Sequence, residues 1–139
     1  MTDLDITKES SVAFITRTSQ VLIETRFKDD VRITLAGLME NIAIRRDMCK
    51  GKPHVMLTVV LGEHEVEPAV IRTDLYRLPE DRAAVKAIAL VIDGDLLPLI
   101  VKMYFEFFPQ TFRTAVFSNE EEARTWLDKE AEGLTRSLT

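Results

Sequence analysis

The chain has 139 residues, the size of one domain able to bury most of the surface its unfolded form would expose. A hydrophobic fraction of 46% and a charged fraction of 29% exclude a disordered, collagen-like or disulfide-stapled class. Eighteen Lys and Arg against 23 Asp and Glu give a net charge of −5, with the cations scattered, so nucleic acid is not an expected partner.

Residues 1–19 read as a polar lead-in containing a short apolar run at 12–15 that fits no element, and the single domain is expected over 20–139. The start lacks the charged and apolar regions of a signal peptide, and the lone Cys49 has no internal partner, so a reducing, cytoplasmic location is expected. From Val21 the apolar residues alternate, with Val21, Ile23 and Phe27, then Val31, Ile33 and Leu35 after Lys28-Asp29-Asp30, the pattern of an antiparallel hairpin with one wet face. Past Gly37, Leu38, Met39, Ile42 and Cys49 recur at helical spacing until Gly51-Lys52-Pro53 ends the run.

Residues 55–61 and 87–92 are unbroken apolar runs of strand length, the form of central parallel strands covered on both faces. Between them Pro68 and Pro79 bound a crossover helix with Ile71, Leu75 and Leu78 on its apolar face. A helix over 96–108 with Pro98 in its first turn, an outer strand over 111–117 and a final helix complete the chain. Ser118 and Glu121 have capping-box spacing, and Ala123, Trp126, Leu127, Ala131 and Leu134 form that last helix's buried stripe. The fold class is therefore α/β, ordered ββαβαβαβα: a mixed sheet with an N-terminal hairpin and parallel central strands flanked by helices.

The stretch Lys86-Ala-Ile-Ala-Leu-Val-Ile-Asp93, the apolar helix after it, and Ala115-Val-Phe-Ser-Asn-Glu-Glu-Glu-Ala-Arg-Thr-Trp-Leu127 resemble small bacterial proteins of the SpoIIAA-like, STAS-type superfamily. The resemblance spans roughly residues 20–130 and is most specific in the last third. It implies about five strands flanked by helices, in a superfamily whose best-known members are anti-sigma-factor antagonists that bind a protein partner. Those antagonists carry a regulatory serine where the helix after the third strand begins. Here the matching loop, Leu61-Gly-Glu-His-Glu-Val-Glu-Pro-Ala69, holds no serine or threonine, and Thr73 lies farther on, so the phosphate switch does not carry over.

Glu63, His64 and Glu65 are the one place where a histidine stands among carboxylates. An extended chain sends alternate side chains to opposite faces, which opposes their convergence on a metal. They lie beyond the carboxyl end of a central strand, where open α/β sheets place ligands, and form the first-choice ligand rim. Arg45 and Arg46, with Lys50 and Lys52, form a local basic cluster that reads as a solvated helix end facing the negative pole of the dipole. There is no glycine-rich phosphate loop, and no serine or cysteine sits in a nucleophile motif, so neither an enzymatic role nor a cofactor is expected.

Only Lys102 and Glu106 interrupt the apolar helix over 96–108. At helical spacing they lie about 40° apart, leaving an apolar arc of roughly 280° where one sheet-packed stripe needs little over 100°. Leu97, Ile100, Val101, Tyr104 and Phe108 point to the sheet, and Leu99, Met103, Phe105 and Phe107 form a candidate association surface. Thirteen residues cannot span a bilayer, so no transmembrane segment is expected. The leading expectation is a non-enzymatic binding or regulatory module acting through protein association, as a homodimer or with another protein. The alternative is a carrier of a small apolar or lipid-like ligand near this helix, in keeping with the kinship of the implied fold with lipid-carrier domains.

Overall fold

The computed structural model describes residues 5–138, with side chains to residue 134. One mixed sheet is built from β1 (Ile6–Glu9), β2 (Ala13–Arg17), β3 (Leu22–Phe27), β4 (His54–Val60), β5 (Val85–Ile92) and β6 (Arg113–Phe117), side by side in chain order. The first two pairings are antiparallel and the remaining three parallel. Helix α1 (Leu35–Cys49) follows β3, while α2 (Pro68–Ile71) and α3 (Pro79–Ala84) connect β4 to β5. Helix α4 (Leu96–Phe107) connects β5 to β6, and α5 (Glu120–Leu138) ends the domain. The two unbroken apolar runs are adjacent parallel strands, with Val55 beside Ala87 and Val60 beside Ile92.

Strand order follows chain order from β3 to β6, so right-handed crossovers bring α1 to α4 to one face of the sheet and leave the other to α5. On the α5 face, Val55, Leu57 and Val59 alternate with Ala87, Ala89 and Val91 against Ala123 and Leu127. The fully buried Ala123 lets α5 approach the two strand alanines closely. On the crossover face, Met56 and Ile88 pack with Cys49 and Phe112. A sheet whose parallel strands never reverse their order has no switch-point crevice, so its concavities arise from how the crossover helices sit.

The lead-in expected over 1–19 is, from residue 5, part of the sheet. β1 is exposed along its length, as suits a polar edge strand held through its backbone, whereas Val12, Ala13 and Ile15 are fully buried beside β3. The hairpin is thus β2–β3, and its expected second arm is absent. Asp30 turns with φ +56°, and the Ile33 N–H donates to the Glu65 carbonyl (2.8 Å) while the Glu67 N–H donates to that of Ile33 (2.9 Å). Buried Ile33 meets the alternating pattern as a core seal instead of a strand.

Helix α1 starts before Gly37, capped by the Thr34 hydroxyl, which accepts the Gly37 N–H at 3.0 Å. Its buried residues are Gly37, Ile42, Arg45 and Cys49, with Met39 turned to solvent. Of the crossover helix expected between the prolines only Pro68–Ile71 is helical, and Pro79, expected to end it, instead opens α3 at its first position, where a missing N–H costs nothing. At α5 the expected Ser118–Glu121 box is replaced by Asn119, whose side chain accepts the Glu122 N–H at 3.1 Å and whose carbonyl accepts that of Ala123 at 3.2 Å. Arg26 grips Glu120 with two bonds of 2.8 and 2.9 Å and Arg124 reaches Glu24, tying α5 to β3. Trp126 is half-buried, its ring 6.0 Å from that of Phe117.

Candidate apolar cavity beneath α4

The crossover face is not filled. Between the carboxyl halves of the strands and α4 lies a cavity of about 160 Å³. Its floor is Val60 with Ile88, Leu90 and Ile92, residues of one pleat face on neighbouring strands. Its roof is the inner face of α4: Leu97, Ile100, Val101, Tyr104 and Phe105. Val66, Val70 and Leu75, from the segment around α2, wall one side. That segment holds only a four-residue helix, which explains why it covers the sheet incompletely.

Tyr104 fixes the roof. The one buried residue of α4, it donates its hydroxyl to the Thr73 carbonyl (2.7 Å) and accepts the Leu75 N–H (2.9 Å), and burial pushes its pKa up to about 12. Helix α4 is therefore pinned to the loop between α2 and α3 by a neutral phenol acting as both donor and acceptor.

The outer face of α4 is also apolar. Leu96, Leu99, Met103 and Phe107, at spacings of three, four and four, are 69, 57, 52 and 73% exposed and form one stripe along the helix. Leu99, Met103 and Phe107 thus lie where the spacing places them, and Leu96 extends the row by a turn. Phe105 does not belong to it. It sits one turn beyond Val101 on the inner face, half-buried, with its ring 6.3 Å from that of Phe112.

Glu63, His64 and Glu65 line a separate cleft of about 500 Å³ with Asp93 and Asp95, over the carboxyl ends of β4 and β5. The cleft shares Leu97 and Ile100 with the apolar cavity, so the two spaces adjoin. His64 does not face the carboxylates. Its Nδ1 lies 2.7 Å from the Val31 carbonyl and its Nε2 2.9 Å from that of Leu61, while Glu65 and Glu67 bind Arg32. Among the described residues no three His, Cys, Asp or Glu are grouped to hold a metal ion.

In the basic cluster at the end of α1, Lys50 and Lys52 are exposed as a solvated helix end requires, but Arg45 and Arg46 are not free in solvent. Arg45 is 2% exposed, with Nη2 2.7 Å from Asp81 Oδ1, and Arg46 binds both oxygens of the same carboxylate. Burial opposes ionisation of Asp81, but the hydrogen bonds from Arg46 and Arg45 outweigh it and hold its pKa below the ordinary value. Beside this group His54, 1% exposed, is driven by burial down to about 4 and is neutral, with Nδ1 2.9 Å from the Lys52 carbonyl. Cys49 is buried, and desolvation lifts its thiol to about 11, which makes it a poor nucleophile. Arg45 escaped the sequence pattern because arginine at a helix end ordinarily points outward. Its one signal was its i, i+4 place between Asn41 and Cys49 on the buried face.

A family model described as a domain of unknown function, DUF7793, matches residues 14–131. The chain belongs to that family. The match takes in all of β2 but its first residue, the floor, roof and side wall of the apolar cavity and the whole of α4, so cavity and stripe both lie within the DUF7793 domain. No curated protein and no solved structure matches the chain. No described helix is long and apolar enough to cross a membrane.

Proposed function

We propose that the domain is a non-enzymatic binding module of SpoIIAA-like kinship that holds a small apolar or lipid-like ligand between its sheet and α4. The observation that carries this is the cavity, which is almost wholly apolar in its lining and similar in size to engineered protein cavities of about 150 Å³ that take up benzene. The side chains with catalytic potential are engaged elsewhere: Cys49 as a buried thiol, His54 as a neutral imidazole beside an ion pair, and His64 on two carbonyls. A second reading rests on the outer stripe of α4, which fits association with another copy of the chain. The two are compatible, because one helix roofs the cavity and presents the stripe. Kinship with the SpoIIAA-like superfamily is supported by the β-strand, apolar helix, short strand and final helix that close the chain. An antagonist role is not part of the proposal, since the Thr73 hydroxyl is bound to the Ala69 carbonyl at 2.7 Å and the loop after β4 has no acceptor for phosphate.

The test is methyl NMR with benzene as the probe. Saturable shifts at Val60, Leu90 and Ile100, abolished when Leu90→Phe fills the space, are expected. Shifts scattered over surface methyls, or none at millimolar benzene, would overturn the proposal.

A further inference from the structure

Beyond the apolar cavity, toward the amino ends of the strands, lies a second space of about 80 Å³ that shares Phe27, Leu38, Thr58, Leu75 and Tyr76 with it. Its character is different. Thr25, Asn41 and Arg45 enter its lining. Thr25 and Thr58 are register partners on β3 and β4, so their side chains stand side by side on the crossover face, in strands whose other residues on that face are apolar apart from His54 at the start of β4. Thr25 is 4% exposed, yet neither hydroxyl bonds a protein group among the described residues. Arg45, its guanidinium held by Asp81, lines the same space.

The one charged side chain lining this space is a cation, Arg45. Arg45 and Arg46 share the carboxylate of Asp81, Glu80 acts on the outer Arg46 as well, and His54 is neutral. The opposite end of the apolar cavity adjoins the cleft of Glu63, Glu65, Asp93 and Asp95, which is anionic. A molecule lying between the two ends is therefore oriented by its own charge.

Resting on the apolar-ligand reading above, we infer that the ligand is an amphiphile with an anionic head, in its simplest form a short-chain monocarboxylate. Its chain lies beneath α4 and its carboxylate points to Arg45, Thr25 and Thr58. The head accepts hydrogen bonds from two hydroxyls that the fold leaves facing the space and is attracted by the charge of Arg45 beside them, and the acidic cleft disfavours the reverse orientation. The size of the apolar part sets the chain at about six carbons, the bulk of a benzene-sized guest.

The inference is tested with a series of probes sharing one chain, hexanoate, 1-hexanol and hexylamine, titrated at neutral pH by calorimetry and methyl NMR. Hexanoate is expected to bind about tenfold more tightly than hexanol, the worth of charge-assisted hydrogen bonds over neutral ones, and hexylamine more weakly still. Thr25→Val preserves shape and should erase most of the preference for hexanoate while leaving benzene binding unchanged, because Thr25 does not line the apolar cavity; Thr58→Val, which borders both spaces, should likewise erase the preference. Arg45→Met should do the same, and the two threonine variants decide the matter if that protein does not fold. Equal binding of hexanoate and hexanol, or tighter binding of hexylamine, would overturn the anionic head and leave the apolar cavity standing. If neither benzene nor any member of the series binds, the apolar-ligand reading itself falls.

Discussion

Gly37 on α1 lies against Val12 at the start of β2 so closely that a Cβ on the glycine would stand 2.5 Å from Val12 Cγ1 and 2.9 Å from Cγ2. The contact sets how near α1 comes to the sheet, because Val12 is 2% exposed and has nowhere to turn. It also places the Thr34 cap, whose Oγ1 would lie 3.1 Å from the same Cβ.

Gly37→Ala is therefore expected to destabilise the domain. Alanine gains about 1 kcal/mol of helix propensity over glycine, and overpacking at a rigid contact costs roughly 1 to 3 kcal/mol. A double-mutant cycle with Val12→Ala should show coupling, with the second change recovering part of the first loss. A urea midpoint for Gly37→Ala above that of the parent would show the glycine to be a matter of propensity alone.

The buried imidazole makes the domain acid-labile in a defined window. His54 is held at about 4 in the folded state by burial, with Arg45 adding to the effect and the Lys52 carbonyl and Asp81 opposing it, against 6.5 for an ordinary histidine. Between those values the unfolded chain binds a proton that the folded chain does not, so stability falls as pH falls from 6.5 to 4, by about 3 kcal/mol in all. Glu120 extends the loss further down. Its pairing with Arg26 and then Arg124 holds it at about 2, and the contribution present above the ordinary 4.5 is lost as pH drops toward 2. His54→Gln should flatten urea stability between pH 6.5 and 4.5 while leaving the lower limb. An unchanged slope in that variant would assign the window to other groups.

What the sequence made legible follows from how strongly one physical requirement acts on each segment. Strands β4 and β5 are covered on both faces, so nearly every residue must be apolar and the run is unmistakable. β1 is covered on neither face, carries no side-chain pattern and was invisible. Val31 and Ile33 alternate as a strand does, but the alternation serves to plug the core beside the loop after β4, and periodicity cannot tell those uses apart. The site was legible in the same uneven way. The excess of apolar surface on α4 was plain from its two lone charges, whereas the cavity beneath it arises from the shortness of α2, a tertiary property. The polar end of that cavity depends on register, since Thr25 and Thr58 are 33 positions apart in sequence and adjacent only once β3 pairs with β4.

The outer stripe of α4 leads to the remaining prediction. Leu96, Leu99, Met103 and Phe107 expose more than half of each side chain in one row, and Lys102 and Glu106 flank it one turn apart. Two such helices crossing antiparallel about a two-fold axis would lay stripe on stripe and bring Lys102 near the partner's Glu106, a self-complementary arrangement suited to an isologous dimer. Burying four large side chains on each copy, at about 25 cal/mol per Å², is enough to offset much of the entropy of association. The parent is thus expected to sediment as a dimer at tens of micromolar. Met103→Glu should make it monomeric with its unfolding midpoint retained, because that side chain is 52% exposed within one copy. Phe105→Glu should act differently, lowering the midpoint, because its ring lines the cavity roof and meets Phe112. A monomeric parent, or a Met103→Glu protein that remains dimeric, would remove α4 as the contact.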